Sequence, residues 1–538
     1  MVLQTNGSIE NPPLSERERV SKAAGVVGFY TLLSRILGLV RDMVVARFFG
    51  AGMTADAFFV AFRIPNLLRR LFAEGSLTIA FIPVFTEYLH QKSKEDAFEL
   101  ARAVLTLLAM VLALVTVLGV LFAPWVVRLQ AFGFGGSGPK YELTVLLTRI
   151  TFPYIFLVSL VAFFMGVLNS LRHFAAPAAA PIFLNVGIIA ATVIISPYLS
   201  EPVVGLAIGV LIGGVLQILL QLPWLIQKGV SLRPCWNPGH PAVRKIGLLM
   251  LPAIYGSAIY QLNQFIGTLL ASFLPQGSVS WLYYADRLME FPLGVFAIAI
   301  STAVLPSLSA QAVAKDLTEF RETLSHSVRL TFFITIPAMA GLMALGQPVI
   351  QIFFQRGAFD SLSTAMTTKA LFCYAVGLWA FSANRVLVSA FYAFQDTKTP
   401  VKIATITLFA NVGFSLLLMG PLKHAGLALA TSLASSMQFF ILIFCLKQMP
   451  GVLHLRPILI SAFKSLAASA VMGLCLHFLF LEWQGPGGES SGRLVFMTVV
   501  LIVAGALGYF VLAKLLGCHE LGSMKDLLSP ILRKLKGN

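Results

Sequence analysis

AAGVVGFYTLLSRILGLVRDMVVARFFGAGM, residues 23–53, is the stretch on which the fold turns. Its flanks, AAGVVGFYTLL and FFGAGM, are apolar enough to cross a bilayer, yet RILGLVRDMVVAR (35–47) carries Arg35, Arg41, Asp42 and Arg47. A charged side chain at the centre of a membrane helix costs about 2.5–3.5 kcal/mol on insertion scales, so these charges need somewhere polar to point. On an ideal helix at about 100° per residue, with Arg35 at about 0°, Asp42 falls near about −20°, Gly38 near about −60° and Arg41 near about −120°. Leu33, Ile36, Leu37, Leu39, Val40, Met43 and Val44 fill the opposite arc. The segment therefore has a lipid face and a polar face. Arg47 falls on the lipid side but at the helix end, where a long side chain snorkels to the interface.

The rest of the chain agrees with a membrane setting. Of 538 residues, 57% are hydrophobic and 12% charged, too little polar surface for a soluble protein of this length. About fourteen apolar segments follow one another, most near the length that spans a bilayer: 24–48, 55–89, 98–127, 142–170, 177–198, 203–226, 246–273, 279–304, 325–354, 363–392, 401–420, 425–446, 458–481 and 493–516. The runs are continuous rather than alternating, which argues against a transmembrane β-barrel. The expected class is an all-α polytopic membrane protein. The net charge of +16 does not point to nucleic acid, because no soluble basic domain is present to hold it. The basic residues instead collect in alternate connections: Lys92 and Lys94; Arg172; Lys228, Arg233, Arg244 and Lys245; Lys315 and Arg321; Lys398 and Lys402; Lys447 and Arg456. By the positive-inside rule these connections are cytoplasmic, and so are both termini. Residues 1–22, with Pro12-Pro13, read as a polar cytoplasmic tail and not a signal peptide.

A weak repeat is visible. LNSLRHFAAP (168–177) leads to Asn185-Val186-Gly187, and FYAFQDTKTP (391–400) leads to Asn411-Val412-Gly413. AFIPVF (80–85) and AVLPSL (303–308) correspond likewise. The offset is six segments, an even number, so two halves would share one orientation about an axis along the membrane normal, as in known transporters.

Further charges lie inside the apolar segments. DAFFVAFRIPNLLRRLFAEG brings Asp56, Arg63, Arg69, Arg70 and Glu74, with Pro65 predicted to kink or break its helix. YYADRLMEFP brings Asp286, Arg287 and Glu290, which helical spacing puts on one side. Arg149, Arg385 and the polar Gln261, Asn263 and Gln264 complete the set. Two readings remain open. The arginines pair with the nearby acids and tie helices together, or they line a hydrated cavity and bind an anion. Arginine rather than lysine dominates, and its planar fork suits bidentate contact with phosphate. The five cysteines are scattered, with no C-x-x-C and no metal spacing, so neither a disulfide framework nor a zinc site is expected. No nucleophile elbow, P-loop or metal motif is present, and the chain is not expected to be an enzyme.

On SRILGLVRDMVVARFFGAGMTADAFFVAFRIPNLLRRLFAEG (34–75), SVSWLYYADRLMEFPLGV (278–295), QDTKTPVKIA (395–404) and GPLKHAGLALA (420–430), the chain resembles the MurJ (MviN) family of lipid II flippases. That family belongs to the multidrug/oligosaccharidyl-lipid/polysaccharide exporter superfamily. The resemblance covers essentially the whole chain after the polar tail. It implies two six-helix lobes around a central cavity, at 23–227 and 246–449. A cytoplasmic loop at 228–245 joins them. Two further helices at 450–517 border a groove for a lipid tail, and a basic cytoplasmic tail follows at 518–538. It implies as substrate lipid II, undecaprenyl-pyrophosphate carrying the peptidoglycan disaccharide-pentapeptide, flipped from the cytoplasmic to the periplasmic leaflet of the bacterial inner membrane for cell-wall synthesis. It places substrate-binding arginines at Arg35, Arg41, Arg69 and Arg287, with Asp42, Asp56, Arg70, Glu74, Asp286 and Glu290 as supporting charges.

No cofactor is expected; a coupling ion or the membrane potential is the candidate energy source. Expected partners are lipid II, the bilayer and other cell-wall synthesis proteins. One chain supplies both lobes and is expected to act as a monomer. The alternatives are a flippase for another polyprenyl-linked oligosaccharide, a cation-coupled multidrug exporter of the same superfamily, and a non-transporting scaffold.

Overall fold

A computed structural model describes residues 16–70, 77–449, 451–483 and 491–522. Among these residues all regular structure is helical. The helices are α1 (Glu16–Phe49), α2 (Met53–Leu68), α3 (Thr78–Gln91), α4 (Lys94–Leu121), α5 (Ala123–Gln130), α6 (Pro139–Thr151), α7 (Tyr154–Ser170), α8 (Ala175–Ile194) and α9 (Val204–Gln227). They continue as α10 (Pro241–Ser272), α11 (Ser278–Pro292), α12 (Ile298–Val313), α13 (Leu317–Phe354), α14 (Ser361–Ala375), α15 (Leu378–Ala393), α16 (Lys398–Lys447), α17 (Leu455–Trp483) and α18 (Ser491–Leu515).

Each apolar segment falls on one or two of these helices and the short breaks between them; residues 71–76 lie outside the described set. Among the described residues, nine helical stretches are long and apolar enough to cross a membrane, or ten if α14 and α15, bent by 41°, form one span. That measure falls short of fourteen. Part of the difference is α16, which covers two segments: Lys423 takes φ 52° and ψ −132°, so the helix is broken just after Gly420-Pro421. Pro65 does not break its helix at once; α2 continues to Leu68 with the proline inside.

The repeat has a conformational signature. Arg172 and Gln395 occupy the same place in LNSLR and FYAFQ, and both are left-handed, at φ 58° and 60°. At each, the next residue's N–H donates back to the first carbonyl of the motif, His173 to Leu168 at 2.8 Å and Asp396 to Phe391 at 3.0 Å. These are the closing bonds of a Schellman helix end. The two asparagines correspond as well. Asn185 on α8 donates to the Ser34 carbonyl on α1, and Asn411 on α16 donates to Asn263 on α10. In each half, the fifth segment is thus hydrogen-bonded to the first.

The chain forms two compact units. One comprises Met1–Arg41, Pro65–Val120 and Ile150–Ile254; the other comprises Asp42–Ile64, Leu121–Arg149 and Tyr255–Asn538. The first is centred on Phe81, Phe85, Leu100, Phe163 and Val167. Its helices α8 and α9 approach through glycine: a Cβ on Gly187 would lie 2.6 Å from the Gly213 nitrogen. In lipid, apolar burial does not drive helices together, so close backbone packing of small residues does. The second unit has one core around Leu308, Phe320, Val328, Leu387 and Phe391, and another where α17 and α18 pack on α13. There the Tyr509 hydroxyl donates to the Phe333 carbonyl at 2.8 Å. Large apolar side chains left exposed, such as Leu114 and Val117 on α4 and Phe463 and Phe478 on α17, read as lipid-facing surface.

Candidate functional site

The second unit gathers residues from both halves of the sequence around one arginine. Arg287 stands on α11, its side chain about one-third exposed. Its Nε donates to Asp42 Oδ2 at 2.9 Å and its Nη1 to Glu290 Oε2 at 2.8 Å. The second bond is the i,i+3 contact that helical spacing predicts. Asp42, within the charged stretch of α1, is only 2% exposed. It also accepts from the Tyr283 hydroxyl at 3.2 Å. Tyr283 stacks on Phe59 of α2 with ring centroids 3.9 Å apart. A carboxylate this buried survives only when paired and hydrogen-bonded.

Asp56 meets a different need. The first N–H groups of a helix lack intrahelical partners and carry partial positive charge. Asp56, 1% exposed on α2, accepts from the N–H of Gly277 at 2.8 Å and of Ser280 at 2.9 Å, at the start of α11. The Ser280 hydroxyl and Lys140 Nζ complete its shell at 2.7 and 2.8 Å. Gly277 is required here: its φ is +94°, and a Cβ would sit 2.7 Å from the Ala51 carbonyl oxygen. The sequence reading offered Asp56 to an arginine; the structure gives it Lys140 and a helix terminus.

A polar cavity of about 270 Å³ opens beside this cluster within the same unit. Arg63, Asp286, Glu290 and Arg385 line it, with Asn263, Gln264 and Asn411. Arg63 donates to the Gln264 side chain at 3.3 Å and to the Thr268 hydroxyl. These charged and amide groups are ones the sequence singles out as intramembrane polar residues.

Arg35, Arg41, Arg69 and Arg70 lie in the first unit. Arg41, 9% exposed, donates from Nη1 to Asn185 Oδ1 at 3.1 Å. Asn185 therefore holds Arg41 with its oxygen and the Ser34 carbonyl with its nitrogen. Arg69 donates to Asn66 at 3.0 Å. Arg35 is exposed, so the polar arc of α1 holds one exposed arginine and two buried charges. Arg70 is half-buried in the turn of helix after α2. Glu74 lies outside the described residues. Arg47 is exposed at the helix end, as expected, and its carbonyl accepts from the Ala358 N–H at 2.9 Å. Of the expected site residues, the structure brings Asp42, Arg287 and Glu290 into direct contact. Lys140, Asn185, Tyr283 and Ser280 were missed. Of these only Asn185 carried a signal, its place in the repeat.

The family model described as lipid II flippase MurJ matches residues 45–498. The chain belongs to that family. A relative from Vibrio cholerae serotype O1, named "Probable lipid II flippase MurJ", is 40% identical over 95% of this chain and 98% of its own length. The Burkholderia cenocepacia "Lipid II flippase MurJ" is 38% identical over 91% of this chain and 96% of its own. A solved structure titled "Lipid II flippase MurJ, inward closed conformation" superposes with a TM-score of 0.77 at 27% identity, covering 91% of this chain and 98% of that one. The inward-facing structure of a multidrug resistance MATE transporter of the MOP superfamily gives 0.67 at 17% identity over 79% of this chain, a likeness of fold alone.

Proposed function

We propose that this chain flips lipid II from the cytoplasmic to the periplasmic leaflet of the bacterial inner membrane by alternating access, and that Arg35, Arg41, Arg69 and Arg287 bind its pyrophosphate. Family membership supports the substrate. The observation that supports the chemistry is Arg287, an intramembrane guanidinium held between Asp42 and Glu290. On this reading the two carboxylates hold the cation when the site is empty. A pyrophosphate, with more charge and more acceptor oxygens, competes for the same donors and releases Asp42. That release loosens a contact between α1 and α11, so binding and rearrangement are one event. No covalent bond changes; only the exposure of the head group does. The membrane potential or a coupling ion resets the site, one charge across 100 mV being worth about 2.3 kcal/mol. Both termini face the cytoplasm, and one chain suffices.

The test is lipid II exposure on the outer face of the inner membrane in cells that depend on this chain. Arg35→Ala and Arg287→Ala at matched protein levels are expected to abolish exposure. Unchanged exposure on depletion of the native chain, with no other flippase present, would overturn the reading. A cation-coupled exporter would instead leave lipid II exposure intact and change drug tolerance.

A further inference from the structure

The first unit contains a second cavity, of about 280 Å³, unlike the polar one. Leu107, Val111 and Val115 of α4, Ile155 of α7 and Ile246 of α10 are among the side chains that line it. Among the described residues, Ser159 is the one polar side chain lining it, and its buried hydroxyl has no hydrogen-bond partner there. A wall this apolar excludes a head group and favours hydrocarbon. On the lining helix α4, Val111 is exposed, and so are Leu114, Val117 and Leu118 just beyond it, so that helix meets the bilayer beside the cavity. The α10 contribution begins at Val243 and includes Gly247, where an added Cβ would meet no atom within 4 Å.

Charge at the start of α10 selects the occupant. Lys245 is engaged with Glu87 at 2.7 Å. Its neighbour Arg244, next to the lining residue Val243, is exposed and has no ion pair or side-chain hydrogen bond among the described residues. Basic residues beside an intramembrane pocket recognise anionic lipid head groups. We infer that this cavity holds an acyl chain of an anionic glycerophospholipid whose phosphate is met by Arg244. The site lies wholly within the first unit and uses none of the substrate-binding arginines.

The test is native mass spectrometry of the full-length protein released from nanodiscs of equal phosphatidylglycerol and phosphatidylethanolamine. The native chain is expected to retain one phosphatidylglycerol at least fivefold over phosphatidylethanolamine. Gly247→Phe, which fills the cavity from a position with open space, is expected to lose the retained lipid while keeping its helical circular dichroism. Arg244→Ala is expected to retain a lipid but lose the preference for phosphatidylglycerol. Retention of the same lipid by Gly247→Phe, or unchanged preference in Arg244→Ala, would overturn the assignment. So would a native chain whose bound lipid is an isoprenoid rather than a glycerophospholipid.

Discussion

Arg287 on α11 and Asp42 on α1 are 245 positions apart in sequence and 2.9 Å apart in space. The contact joins the first and eighth apolar segments, and it puts a cation and an anion where lipid would reject either alone. Arg287→Ala leaves the carboxylate of Asp42 buried without this partner. Arg287→Ala is therefore expected to destabilise the protein more than Asp42→Asn, which removes the charge that needs neutralising. Because Arg287 is partly exposed, the coupling in a double-mutant cycle is expected near about 1 kcal/mol, at the low end for groups in contact. Thermal unfolding of the purified variants in detergent measures it.

Asp56 accepts three hydrogen bonds from the start of α11 and a fourth from Lys140 on α6. Asp56→Ala is expected to cost about 3–5 kcal/mol, since it strands Lys140 and two helix-terminal N–H groups. Asp56→Asn keeps an acceptor for those N–H groups and should cost less than half as much. Equal losses in a chemical unfolding series would show that charge, not hydrogen bonding, carries the contact.

Asn185 joins Arg41 to the Ser34 carbonyl. Asn185→Leu removes both bonds at nearly constant volume and is expected to cost about 1–3 kcal/mol for the buried groups it leaves. If Arg41 contacts substrate, the same variant lowers lipid II binding although it carries no charge itself. Binding of lipid II to purified protein, compared with Asn185→Asp, separates the two effects.

Asp360 caps α14 outside the spans, accepting from the Ser363 N–H at 2.8 Å. Hydrogen bonds from Ser363 hold its carboxyl below the usual carboxylate value. A lowered folded-state pKa gives stability that is fully present above the unfolded value, about 4, and is lost as pH falls through the folded one. Local unfolding of α14, followed by hydrogen exchange, is expected to rise below about pH 4 in the native chain. Asp360→Ala should show that opening already at neutral pH, at a cost of about 1 kcal/mol, and should be flat with pH in this range.

Much of this was legible from residues alone. Long continuous apolar runs locate the helices because a single span in lipid must satisfy its backbone hydrogen bonds within itself. The repeat in LNSLRHFAAP and FYAFQDTKTP marks two helix ends that the structure closes with the same left-handed residue. Arg287 and Glu290 could be paired because three residues is less than one turn. Asp42 could not be matched to Arg287, nor Asp56 to Lys140, because helical spacing says nothing of neighbours more than 80 positions away. The apolar cavity was hidden for a related reason. Its walls come from α4, α7 and α10, each of which reads as an ordinary membrane helix.

The close approach of α8 and α9 has a mechanical meaning. With Gly187, Gly209 and Gly213 meeting backbone to backbone, sliding one helix along the other by a single residue would drive a side chain into a main chain. The pair can tilt only together. It is a strut, and whatever bending a transport cycle demands of the first unit has to be taken up in other helices.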